Sequence, residues 1–207
     1  MMNSTLKIEI EKFRSWASDY PQDTRSGEWE CDYEEWSSLN AAFLSFVENK
    51  VPSELTKTEV ADLVYVIARD NEIEDLIEAV ALNEELFKLL LSYVLHSTEA
   101  DAKWQFAVAL GQNTLNHAIA EDALLKLVND ADEYTSRMAL QSLGKIGSAH
   151  AENLCVKAWD SNREYQRIMA LWVLKEIDSK ELTKYLELAL VDDRKYVVQN
   201  ANEIKNA

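Results

Sequence analysis

Three histidines, His96, His117 and His150, are the side chains of this 207-residue chain best suited to holding a metal ion or moving a proton near neutral pH. A zinc site needs several ligands brought together, typically a second histidine one helical turn away or a closely spaced pair of cysteines. None of the three has either partner, so each is expected at a surface or a helix end. The two cysteines, Cys31 and Cys155, stand far apart, match no metal-ligand spacing and supply no disulfide framework; reduced thiols are expected. Gly27, Gly111, Gly144 and Gly147 are too dispersed to form a phosphate-cradling loop, and no Gly-x-Ser-x-Gly elbow occurs. With 37 acidic residues, carboxylate pairs arise by chance and identify no general acid or base. The expectation is a protein without catalytic, cofactor-binding or metal-binding residues.

Acid is what the chain has in excess. Its net charge of −16 repels phosphate backbones and anionic membranes and attracts basic proteins. Neither nucleic acid nor a membrane is therefore expected as a direct ligand. Two tracts concentrate the charge, one from Glu28 to Glu35 and one from Asp70 to Glu85. The first interleaves its acids with Trp29, Tyr33 and Trp36, and aromatic area beside carboxylates offers a basic partner both desolvation energy and steering. Trp29, Glu30, Asp32, Tyr33, Asp70 and Glu72 are the candidate contacts there. Trp36 is assigned to the core, because it begins an apolar stripe through Leu39, Phe43 and Phe46.

The elements that must carry these residues read as helices. Only four Gly and two Pro accompany 47% hydrophobic residues, which leaves few turn residues for a sheet and enough apolar surface for a core. Ser4 is expected to cap a helix through about Tyr20, with Leu6, Ile10, Phe13 and Ala17 at helical spacing and Pro21 stopping it. A second helix is expected from about Tyr33 to Asn49, ending near Pro52, with "PSELTKTEVADLVYVIARD" opening the next. No basic head followed by an apolar run begins the chain, and no apolar stretch is long enough to span a bilayer, so a cytoplasmic protein is expected.

Downstream the chain repeats itself. Tyr134, Met138, Ala139, Leu140, Leu143 and Ile146 fall on Tyr165, Met169, Ala170, Leu171, Leu174 and Ile177 at a constant offset of 31, and Tyr196 follows 31 residues later. That period holds two helices and two turns, neither helix able to bury its apolar face alone. Equivalent positions share an environment, which sorts the tryptophans. Trp159 aligns with Val128 and Leu190 and is expected in the core; Trp172 aligns with Gln141 and Glu203 and is expected as an exposed aromatic. Trp172, Asp130 and Asp132 in one turn, and Glu164 in the next repeat join the candidate contacts. Glu121, Asp122, Glu152, Asp160, Glu181 and Glu187 are expected near the surface formed by the second helices.

The stretch "NDADEYTSRMALQSLGKIG", with its acidic turn, Ala139 at the helix contact and Leu143-Gly144 at the helix end, resembles HEAT repeats of the short phycobilin-lyase-like type. The likeness covers residues 129–207 and reaches Leu110-Gly111. It implies an all-α fold, a right-handed α-α superhelix over residues 84–207 with an N-terminal helical cap of residues 1–80 packed on it, as one continuous domain. Arg167 fits the family's arginine position, whereas Ser136 occupies it one repeat earlier, so an arginine ladder would be incomplete.

The size, the acidity and the segment "GEWECDYEEW" further resemble the HEAT-type immunity proteins of bacterial polymorphic-toxin and contact-dependent growth-inhibition systems. That resemblance implies a monomer that forms a heterodimer with a cognate basic toxin domain, a nuclease and in particular an RNase, and masks its active site. The alternatives are a general protein-interaction scaffold or a HEAT-like DNA glycosylase or lyase. The glycosylase requires a basic, aromatic-lined groove, the opposite of this charge.

Overall fold

Asn3 opens the first helix: its extended backbone and side-chain carbonyl, 2.8 Å from the Leu6 amide, start α1 (Ser4–Asp19). The expected cap, Ser4, is instead the first helical residue, since Asn3 satisfies the free amide that Ser4 would have served. The computed structural model describes residues 2–25, 27–49, 55–112 and 115–206. Among these the secondary structure is helical, with no strand, as the composition requires.

After α1 a 3₁₀ turn at Trp29–Asp32 precedes α2 (Trp36–Asn49). The second helix therefore starts three residues later than expected. Tyr33 stays extended in the connection, which lets its ring swing back onto α1. The stretch around Pro52, expected to end one helix and begin the next, lies outside the described residues. Thr56 and Glu59 form a reciprocal capping box for α3 (Lys57–Ile67). Then come α4 (Asp75–Ala81), α5 (Glu84–Val94) and α6 (Ala100–Leu110). The repeats follow as α7 (His117–Leu127), α8 (Glu133–Lys145), α9 (Ala151–Asp160), α10 (Glu164–Glu176), α11 (Leu182–Leu190) and α12 (Lys195–Asn206).

The chain divides into two compact units, one running through Phe106 and the other from Ala107. In the first, Phe13, Phe43, Phe46 and Phe87 are wholly buried among Leu6, Leu39 and Leu63. In the second, α10 packs against α8, α9 and α12, and the 31-residue offset becomes physical. Ala139, Ala170 and Ala201 occupy the same place in successive repeats and none is exposed, because a methyl group there lets neighbouring helices approach. Glycines do the same at helix ends. A Cβ on Gly144 would lie 2.8 Å from Val173 Cγ1, and one on Gly111 would lie 2.6 Å from Ser142 Oγ, so the Leu-Gly pairs mark close helix crossings.

Polar pairings repeat as well. Ser148 donates to Glu121 and Ser179 donates to Glu152, each at 2.5 Å. The same serines accept from the His150 and Glu181 amides at the starts of the following helices. Residues 107–207 are thus a helical-repeat array in which the turns at Ser148 and Ser179 each hold the amide that leads into the next helix and tie back to the repeat before it. No helix among the described residues is long and apolar enough to cross a membrane.

Candidate functional site

The aromatic and acidic segment from Glu28 to Trp36 separates its two residue classes. Tyr33 is buried, its ring 5.0 Å from Phe13, 5.1 Å from Trp16 and 6.1 Å from Trp36. Trp29 stacks on Trp16 with ring centroids 5.4 Å apart, and the Arg25 guanidinium lies over the Trp29 ring at 4.4 Å. Trp36 is half-buried and donates its indole N–H to the Glu30 carbonyl at 2.7 Å. The 3₁₀ turn directs the aromatics onto α1 and leaves Glu28, Asp32, Glu34 and Glu35 in solvent.

Two of the expected contacts are thereby corrected. Tyr33 is part of the core, not a docking anchor, because packing on three rings buries more apolar area than exposure would leave. Glu30 is also buried. Its carboxylate lies 3.7 Å from the Arg69 guanidinium, and burial pushes its pKa upward. Asp32 is exposed and accepts from the Tyr20 hydroxyl at 2.6 Å. Trp29 remains half-exposed.

The second acidic tract divides in the same way. Asp70 is buried and accepts from the Leu76 amide at 2.9 Å in the first turn of α4, so it too is corrected from a contact to a structural residue. Desolvation, with Asp75 and Glu74 nearby, raises its pKa to about 6. Glu72 is exposed and lies 3.0 Å from the Cys31 thiol. That carboxylate holds the thiol proton and pushes its pKa up to about 11, which leaves Cys31 a poor nucleophile at neutral pH. Glu28, Cys31 and Glu72 bring ligand-type atoms within 4.8 Å of one another, all on the surface. Cys155 is buried, its thiol pushed up to about 12.

In the repeat unit, Asp132 caps α8 by accepting from the Thr135 amide at 2.7 Å, and Asp130 accepts from the Asp132 amide at 2.9 Å. Both carboxylates shape the turn. Glu164 is half-exposed at the start of α10. Trp172 is 36% exposed, as its polar equivalents indicated, with its indole N–H donating to Asn200 Oδ1 at 2.8 Å. Trp159 is buried against Tyr185, with ring centroids 5.3 Å apart. Of the acids expected on the second helices, Glu121 and Glu152 are held by the serine bonds described above, while Asp122 and Glu181 pair with Lys126 and Lys184.

The interrupted arginine ladder keeps one of its functions. Arg167 Nε donates to the Trp159 carbonyl at 3.0 Å, and Ser136 Oγ donates to the equivalent Val128 carbonyl at 2.8 Å. Arg167 also reaches Asp192 Oδ2 at 2.5 Å, the oxygen that Arg194 contacts at 2.7 Å, so the Asp192 pKa is held well below the usual carboxylate range. A serine cannot span that second distance.

Two further features extend what the repeat and the acidic tracts indicate. One is a row of exposed tyrosines, Tyr134, Tyr165 and Tyr196, on the first helices of the repeats. Arg137 lies between the first two rings, 4.8 and 5.0 Å from their centroids. The other is the uneven placement of charge. Residues 1–106 hold 22 acidic and 9 basic side chains, a net of −13, whereas residues 107–207 hold 15 and 12, a net of −3. Both acidic tracts, Glu28 to Glu35 and Asp70 to Glu85, lie in the first of these segments.

Residues 121–204 match the protein family described as HEAT repeats. No curated protein matches the chain. The family match falls wholly within the second unit and agrees with the repeat seen there.

Proposed function

We propose that this protein is a non-enzymatic interaction module that binds a basic protein partner, and that its acidic unit, residues 1–106, supplies the attraction. The observation that carries this reading is the segregation of charge. Acid that served solubility alone would work equally well spread over the chain, whereas crowding a net −13 into one half raises self-repulsion there. The upward pKa shifts of Glu30, Asp70 and Glu74 are all in that half, where burial and neighbouring acids disfavour the ionised form. The likeness to HEAT repeats supports an interaction role for the remainder, since such arrays present extended side-chain surfaces on a rigid stack.

A narrower form of the proposal is a dedicated inhibitor of a basic toxin nuclease, an RNase above all, encoded beside this protein. It has the same electrostatic requirement. With Tyr33, Glu30 and Asp70 inside the fold, it rests on Trp29, Asp32, Glu72 and Trp172. Co-expression with the neighbouring reading frame tests it directly: growth rescue supports the inhibitor, and its failure leaves the general module.

The broader reading is tested by affinity capture from the source cells, followed by binding kinetics at graded salt. The expected result is a basic partner whose association rate falls about tenfold or more as salt screens the field. A captured partner that is acidic, or association indifferent to salt, would refute it.

A further inference from the structure

Within the acidic unit, a groove runs between α2 and the segment around α4, and its apolar lining comes from the partly exposed Trp36, Ala41 and Leu44 of α2 together with Ile73 and Leu82. Two adjoining concavities of about 410 and 640 Å³ run along it, and Leu44 lines both. Their floor follows α2 at helical spacing, from Trp36 through Asn40, Ala41 and Leu44 to Val47 and Glu48. That stripe is about 18 Å long at the rise of an α-helix. The opposite wall comes from the segment around α4, where Ile73 is 66% exposed and Leu82 is 91% exposed. Leu82, the last residue before the turn into α5, is held with its side chain almost wholly in water. Acids mark both concavities: Asp75 in one, and Glu48, Glu84 and Glu85 in the other. Among the described residues no basic side chain lines either, and Lys88 alongside pairs with Glu84 at 2.6 Å.

We infer that this groove binds an amphipathic basic helix of about three turns, carried by the partner protein, with its apolar stripe against Leu44 and Leu82 and its Lys or Arg residues facing the acids. Apolar contacts at i, i+3 or i+4, and i+7 of such a helix match the length and lining of the groove, and the acidic rim selects the sign of its flanks. A second copy of this chain is the wrong occupant, because two molecules of net charge −16 repel one another. The inference rests on the reading of the protein as a module for basic partners, and adds to it the place and the shape of the recognised segment.

The test uses the full-length chain and fluorescence anisotropy with three labelled peptides of about three helical turns. One has leucines in a helical stripe and lysines elsewhere, one has the same composition scrambled so that no stripe forms, and one has glutamate in place of lysine. The striped basic peptide is expected to bind at least tenfold more tightly than the scrambled one, and the acidic peptide not at all. Leu82→Ser, at a side chain with almost no packing to lose, is expected to weaken the striped peptide at least tenfold while leaving the thermal transition in place. Equal binding of striped and scrambled peptides, or an unchanged affinity for Leu82→Ser, would overturn the groove while the capture of a basic partner could still stand. A dimer in sedimentation that Leu82→Ser dissolves would assign the groove to self-association and overturn the inference as well.

Discussion

Tyr33 shows how one side chain changes the account. Its alternation with acids suggested a surface anchor, yet it packs on Phe13, Trp16 and Trp36. Tyr33→Ala is therefore expected to cost roughly 3 to 5 kcal/mol in chemical denaturation, as other buried aromatic truncations do. Its hydroxyl is buried with no hydrogen-bond partner, so Tyr33→Phe is expected to leave stability unchanged or raise it. A large loss in the Phe variant would show that the hydroxyl is bonded. Asp70 gives the pH signature. Its folded pKa of about 6 lies above its ordinary 3.8, so between those values the folded state keeps a proton the unfolded state has lost. Stability from this group is full at the acid end of that window and is lost as pH rises through about 6. Asp192 has the opposite sign, its contribution being lost on acidification below the normal carboxylate range. Thermal melts are expected to improve from pH 7.5 to about 5 and to worsen below about 4. Asp70→Asn, which still accepts from Leu76, should raise the melting temperature at pH 7.5 and flatten the first limb. Trp159 and Trp172 were sorted correctly from the sequence, because the repeat supplied two comparisons for each. Tyr33 and Glu30 had no repeat equivalents, and alternation with acids does not say which class a 3₁₀ turn sends inward.

Elements of the array were legible because a fixed period exposes its own constraints. Gly144 is the clearest case: any side chain there meets Val173, a residue with no exposed surface of its own. Gly144→Ala is expected to destabilise by about 1 to 3 kcal/mol, and Val173→Ala in the same chain should cost less than the two single changes added together. Additive effects would mean that the two side chains do not meet. Gly147 and Asp178 are equivalent, each ending a helix in the left-handed region at φ 69° and 51°. Asp178→Gly is expected to stabilise by about 1 kcal/mol, because glycine occupies that region without strain from a Cβ. The first 106 residues offered no such internal check. Their helices were placed from single stripes, and the groove along α2 needed the neighbouring segment to be seen beside it. A sequence gives the apolar face of one helix, but not whether a second element leaves it open.

At the scale of the molecule, a repeat unit close to neutral adjoins in sequence a unit that carries most of the charge. Of the total of −16, residues 1–106 carry −13, so the proposed attraction for basic partners is assigned to that unit. The all-helical class followed from composition and the array from periodicity, since both are properties of many residues at once. The partner surface depends on a few exposed side chains, and exposure is what a linear pattern specifies least. The most direct test neutralises five exposed acids in each unit of the full-length chain and measures association with the captured basic partner. In the first unit Glu28, Asp32, Glu72, Glu84 and Glu85 become Gln or Asn; in the second Asp122, Asp160, Glu176, Asp193 and Glu203 do. The first variant is expected to associate at least tenfold more slowly, the second to remain within about twofold of the parent, and both to keep their helical content. Equal slowing in both, or slowing confined to the second variant, would contradict it.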